Sequence, residues 1–184
     1  MKKLTILTAV ILFINSISFA QNIEPAPADK AVIYFVRPSS LGFAINFTYF
    51  DSTQVIGKFN GPKYMRYECE PGTHLFWARS ENRDFVRAEV EAGKVYFIEA
   101  VPKMGGIKAA VELVPVDPTD EKKMEKIIKL LAKKTPETFT QEELQTETKN
   151  FEEVIGRGLE KYKEETEKGK APSQLKKEMH YSSK

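Results

Sequence analysis

Residues 71–101 read PGTHLFWARSENRDFVRAEVEAGKVYFIEAV. Three runs rich in β-branched and aromatic residues follow Pro71-Gly72 and are separated by turn chemistry at Glu81-Asn82 and Ala92-Gly93. Side chains alternate along each run, so His74, Phe76 and Ala78 share one face of a strand while Leu75, Trp77 and Arg79 share the other. Val86, Ala88 and Val90 oppose Phe85, Arg87 and Glu89 in the same way, and Tyr96, Ile98 and Ala100 oppose Val95, Phe97 and Glu99. A period of two, punctuated by Gly, Pro and Asn, predicts strands joined by tight turns.

The same pattern extends outward from this stretch. It predicts strands over residues 31–37, 45–51, 54–59, 63–69, 73–80, 84–91, 94–101 and 107–114, with further turns at Pro38-Ser39-Ser40, Asn60-Gly61-Pro62 and Gly105-Gly106. About seven to eight short strands at a spacing of roughly ten residues are the signature of an antiparallel β-sandwich. The expected fold is therefore mainly β, a sandwich over residues 31–116 followed by a C-terminal α-helical extension.

The extension begins where the period changes. Asp117-Pro118-Thr119-Asp120 offers an N-cap followed by proline at the first helical position. Met124, Ile127, Ile128 and Leu131 then form the stripe of an amphipathic helix. Thr140 and Glu143 make a second capping box, after which Leu144, Phe151, Ile155, Leu159 and Tyr162 keep to one face. Gly156 and Gly158 each weaken this helix by about 1 kcal/mol relative to Ala. Short helices are marginal in water unless an apolar face packs against something, so the segment 117–165 needs a surface. Residues 166–184, dominated by lysine, glutamate and serine, are expected to fray.

The N-terminus reads as an export signal. Met1-Lys2-Lys3 is a positive n-region, an apolar run follows, and Ser18-Phe19-Ala20 places small residues for signal-peptidase cleavage after Ala20. Asn15 and Ser16 interrupt the run before it reaches the length of a membrane span. Gln21 rather than Cys follows the cut, which argues against an N-terminal lipid. Residues 21–30, with Pro25 and Pro27, read as a semi-extended spacer. The chain of 184 residues holds 28 basic and 26 acidic ones. Two of the basic residues, Lys2 and Lys3, belong to the signal, so the processed chain is neutral. That balance excludes the strongly basic footprint of nucleic-acid binding.

Candidate sites are few. If Phe76, Val86, Ala88, Tyr96 and Ile98 line the sandwich core, the opposite faces present Leu75, Trp77, Phe85 and Phe97 as an apolar patch. Such a patch requires a cover. Either the C-terminal helix lies there, or it is a partner or ligand surface centred on Trp77. Arg37, leading into Pro38-Ser39-Ser40, is a further binding candidate for an anion, against the plainer reading of a strand end entering a loop. Cys69 and His74 flank the Pro71-Gly72 turn as the one nucleophile and base pair, but no orienting third group is visible and Cys69 shares an apolar face with Met65 and Tyr67. No catalytic residue, metal ligand set or cofactor is therefore expected; His74 and His180 stand isolated.

Val32-Ile33-Tyr34-Phe35-Val36-Arg37-Pro38-Ser39-Ser40, Pro71-Gly72-Thr73-His74-Leu75-Phe76 and Glu91-Ala92-Gly93-Lys94-Val95-Tyr96-Phe97-Ile98-Glu99 resemble a bacterial secreted β-domain family known only as a domain of unknown function. The resemblance spans roughly residues 29–115. More loosely, the Pro-Gly turn feeding a long strand is similar to small surface β-domains named for a Pro-Glu-Gly-Ala motif. Both likenesses imply a β-sandwich, an envelope location and no catalytic residues; Leu75, Trp77 and the helical tail depart from the pattern. The expectation is an exported, non-enzymatic envelope module engaged in binding or assembly, with an envelope protein or a glycan as partner, no nucleic acid, and no transmembrane segment after cleavage. The alternative is a carbohydrate-binding or hydrolytic protein using the Trp77 face.

Overall fold

The computed structural model describes residues 23–105 and 108–182; the expected signal peptide and the turn centre at Gly106 lie outside them. Eight strands occupy the places their alternation predicts: β1 (Ala31–Arg37), β2 (Phe47–Asp51), β3 (Gln54–Phe59), β4 (Lys63–Cys69), β5 (Gly72–Arg79), β6 (Arg83–Val90), β7 (Val95–Gly105) and β8 (Lys108–Pro115). Three helices follow, α1 (Glu121–Lys133), α2 (Gln141–Asn150) and α3 (Glu152–Glu167), then a short strand β9 (Ser173–Leu175). One sheet has the order β4-β1-β7-β8 and the other β3-β2-β5-β6-β9. The fold is mainly β, two sheets packed on a shared core of Ile33, Phe35, Tyr49, Phe76, Val86 and Ile98.

The sheets are mixed rather than purely antiparallel. β1 runs parallel to β7, and β9 runs parallel to β6. The chain crosses to the second sheet between β1 and β7, so these two strands are not joined by a hairpin and no turn imposes an antiparallel pairing. All seven residues of β1 are buried, because it lies between β4 and β7 and both of its faces are covered. Its even-numbered side chains, Val32, Tyr34 and Val36, point away from the sandwich core, into a second apolar cluster.

That second cluster is where α1 docks. Met124, Ile127, Leu130 and Leu131 are buried against Val32, Tyr34, Val36 and Phe97. Ile128 is only half-buried, and Leu130 takes its expected place on the stripe. The helix also starts later than Asp117-Pro118 suggests. Asp117 instead holds a turn, its Oδ1 accepting the Thr119 N–H at 2.9 Å, and Asp120 is the N-cap, accepting the Lys123 N–H at 3.1 Å. The Thr140–Glu143 capping box opens α2 as its residues predict. A break at Phe151 separates α2 from α3, and both lie over the outer face of the other sheet.

The segment after the sandwich therefore wraps it. It covers one sheet with α1, rounds the β4 and β3 edges, covers the second sheet with α2 and α3, and returns along the β6 edge. Residues 167–182 do not fray as their composition suggests. Leu175 is buried in the core, β9 pairs with β6, and the Tyr181 N–H donates to the Val95 carbonyl at 2.7 Å. A few well-placed apolar side chains anchor a stretch whose average hydropathy is low. The spacer is likewise docked, with the Glu24 N–H donating to the Tyr34 hydroxyl at 3.1 Å and Ile23 packed on the α1 cluster. No helix among the described residues is long and apolar enough to cross a membrane.

Candidate functional site

Trp77 is the centre of the expected binding patch, and it is fully buried. Its ring stacks on Phe50 at 3.7 Å and 6°, and its Nε1 donates to the Ser52 carbonyl at 2.9 Å in the β2–β3 turn. α3 closes over it: a Cβ built on Gly158 would lie 2.7 Å from the Trp77 Cη2 atom. Phe85 is buried in the same cluster, with Tyr162 of α3 at 5.3 Å, and Leu75 is half-buried at its margin. Phe97 belongs elsewhere. It is on the other sheet, covered by α1 and stacked on Tyr34 at 5.3 Å. The single expected patch is thus two patches on opposite sides of the sandwich, each covered by the chain's own helices.

Arg37 is also committed internally. Its guanidinium is buried at the end of β1, where Nη1 donates to the Ile45 carbonyl at 2.7 Å and Nη2 to Leu41 and Gly42 at 2.9 and 2.7 Å. It lies 4.2 Å over the Phe47 ring. Burial lowers its pKa, yet three carbonyls and an aromatic face compensate the charge. It shapes the loop between β1 and β2 from within, and its donors are not directed at a ligand.

The structure supplies the third group that the Cys69–His74 pair lacks in the sequence. Asp51, at the end of β2, accepts from His74 Nδ1 at 2.8 Å and from the Tyr67 hydroxyl at 3.1 Å. The other ring nitrogen, Nε2, donates to the Glu70 carbonyl at 2.8 Å. The Asp51 carboxylate first, then the Cys69 side chain, raise the His74 pKa to about 10 against the opposing effect of burial. The ring is therefore a doubly donating imidazolium at neutral pH, stacked parallel on Phe76 at 5.3 Å. A general base needs a free lone pair, and this ring has none. Cys69 is buried in the core cluster beside Met65. Asp51, Tyr67 and His74 thus act as an ionic clasp joining β2, β4 and β5. Burial, with the Asp51 charge, pushes the Tyr67 hydroxyl well above its usual range. Among the described residues no group of three or more His, Cys, Asp or Glu is placed to hold a metal ion.

Parts of the sheet edges are covered as well. Asn82 mimics a strand against β8, its Nδ2 donating to the Val111 carbonyl and its Oδ1 accepting the Val111 N–H, both at 2.8 Å. Asp84 accepts the Leu113 N–H at 2.6 Å. Thr148 of α2 accepts the Val55 N–H of β3 at 3.0 Å, and the Tyr64 carbonyl of β4 accepts the Glu137 N–H at 2.8 Å. β9 occupies the β6 edge. Addition of a partner's strand to these four positions is blocked by the chain itself.

Open surface among the described residues includes three grooves. One of about 790 Å³ lies between the β3–β4 side and α2–α3, lined by Gln54, Tyr67, Gln145, Thr148 and Glu152. A second, of about 450 Å³, lies on the other flank of α2 near Gly57, Lys58 and Glu143. The third, of about 600 Å³, runs beside the C-terminal half of α1 and gathers Ser39, Ser40, Lys126, Lys129, Lys133 and Lys134, together with Glu99. The near balance of charge over the whole chain, 28 basic against 26 acidic residues, conceals this local concentration of lysines. Comparison with protein-family models, curated proteins and solved structures finds no match for the chain.

Proposed function

We propose that this protein is an exported, non-enzymatic module of the bacterial cell envelope that acts in binding or assembly, as the resemblance to the secreted β-domain family implies. The observation that carries the non-enzymatic part is the Asp51–His74–Glu70 clasp. The imidazole near the one thiol has both ring nitrogens engaged and a pKa raised to about 10. A ring so held is a structural cation. The covered faces and edges support a scaffold that engages its partners through loops, helix surfaces and grooves.

Cell fractionation with intact-mass measurement tests the export reading. The expected result is a chain beginning at Gln21 in the periplasmic or extracellular fraction; a cytoplasmic chain retaining residues 1–20 overturns it. The carbohydrate-binding or hydrolytic reading through Trp77 requires α3 to lift, because the indole is buried beneath Gly158. Titration with envelope glycans, followed by the emission of this single tryptophan, distinguishes the two. A constant signal is expected, and a saturable shift of the Trp77 emission favours the carbohydrate reading instead.

A further inference from the structure

We propose that the loop of residues 38–46 and the lysine groove beside it dock this protein on an anionic lipid surface. Nearly every large apolar side chain of the described residues is buried or half-buried. The exceptions are Leu41, 50% exposed, and Phe43, 69% exposed, two residues apart on this loop. The loop is built rather than slack. Arg37 ties the Leu41, Gly42 and Ile45 carbonyls from below, the Ile45 N–H donates to the Gly42 carbonyl at 2.9 Å, and the Leu41 N–H donates to the Ser39 Oγ at 3.1 Å. Gly42 adopts φ of +59°, which permits the tight turn. Two apolar side chains are therefore held outward at no further ordering cost on docking.

The charge lies next to them. Ser39 and Ser40, which lead into Leu41, line the groove with Lys126, Lys129, Lys133 and Lys134. Pro62 lines it too, and the adjoining Gly61 lies against the Phe43 carbonyl, so the loop tip and the groove are continuous. Lys129 is paired with Glu125, and Glu99 is the one carboxylate in the lining. Lys126, Lys133 and Lys134, all exposed, leave the balance positive. An apolar tip flanked by lysines fits a headgroup layer bearing negative charge over an apolar interior. A free phosphate would use the lysines and leave Leu41 and Phe43 without a role. The proposal goes beyond the envelope reading and does not rest on it, since purified protein and vesicles suffice to test it.

The test is co-sedimentation of the protein, purified as cells process it, with vesicles of phosphatidylcholine alone or mixed with phosphatidylglycerol. Variants share the same N-terminus, so any contribution of the first residues cancels. The unmodified chain is expected to partition onto the anionic vesicles, less so as salt rises. Leu41→Ser with Phe43→Ser should weaken this by about tenfold or more with unchanged thermal unfolding, since the side chains are exposed. Lys126→Gln with Lys133→Gln and Lys134→Gln should weaken it comparably and remove the salt dependence. Phe43→Trp should shift its emission to the blue only on anionic vesicles. Absence of partitioning by the unmodified chain overturns the proposal, as does partitioning that survives the Leu41 and Phe43 changes. Displacement from vesicles by inorganic phosphate beyond that caused by sodium chloride at equal ionic strength, or a concentration-dependent dimer broken by the same changes, also overturns it, assigning the surface to a soluble anion or to a second copy.

Discussion

Two alanine substitutions, two residues apart in α3, should differ: one stabilises the protein and the other does not. Helix propensity alone gives Gly156→Ala and Gly158→Ala the same gain of about 1 kcal/mol. At Gly156 a Cβ would meet nothing within 4 Å, so the gain should appear in full. At Gly158 the Cβ would stand 2.7, 3.0 and 3.1 Å from three atoms of the Trp77 ring. That ring cannot retreat. It lies on Phe50 at 3.7 Å and is tied to the Ser52 carbonyl, so the helix must move instead. Overpacking of this kind costs about 1–3 kcal/mol, which cancels or exceeds the propensity gain. The expected outcome is Gly156→Ala more stable by about 1 kcal/mol and Gly158→Ala between unchanged and about 2 kcal/mol less stable. In a chain of this size that separates the melting temperatures by roughly 2–12 °C. Urea denaturation followed by tryptophan emission reads both the stability and the environment of the one indole. Equal stabilisation by the two variants would refute the placement of α3 over Trp77.

Stability should fall as pH rises from about 6.5 towards 10, because the native His74 ring keeps a proton that the unfolded chain releases, with at most about 1.4 kcal/mol lost per pH unit. His74→Gln should flatten this slope, and Asp51→Asn should cost about 1.5–3 kcal/mol and return the imidazole titration, followed by NMR, towards its ordinary range; an unchanged titration refutes the clasp. Arg37→Met should destabilise by a similar amount, about 1.5–3 kcal/mol, and release the Ile45 amide to hydrogen exchange, since three loop carbonyls lose their shared donor. Asn82→Ala should cost about 1–3 kcal/mol and produce concentration-dependent association seen by light scattering, because it uncovers the β8 edge at Val111.

Local pattern carried a large part of the fold. β1, β3 and β4 begin and end where alternation places them, and the Thr140–Glu143 box opens α2, because these features depend on residues a few positions apart. The stripe from Leu144 to Tyr162 also meets the cluster around Trp77, as a helix in need of a surface and a patch in need of a cover together suggest. Asp117 as N-cap was the wrong acidic residue because Asp117 and Asp120 carry equivalent local signals, and only the position of the buried stripe chooses between them. The tail departs from its composition for a related reason. Composition averages over Leu175 and Tyr181, whose value lies in what they touch.

The clasp lay beyond any local reading. Asp51 meets His74 across 23 positions of sequence, brought there by the pairing of β2 with β5, in which Asp51 stands opposite Phe76. No spacing rule announces that register. The same holds for Asn82 at the β8 edge and for the lysines of α1 beside the loop of residues 38–46. By itself the amino-acid sequence determined the eight strands of the sandwich and the helical character of the segment after it, and that each carries an apolar face, because periodicity is written one element at a time. Only the tertiary structure decided which face meets which. Burial of Trp77 and Phe97 on opposite sides, the engagement of both His74 nitrogens, and the exposure of Leu41 and Phe43 beside a positive groove all follow from contacts between elements distant in the chain, whose energies exist only once those elements are packed.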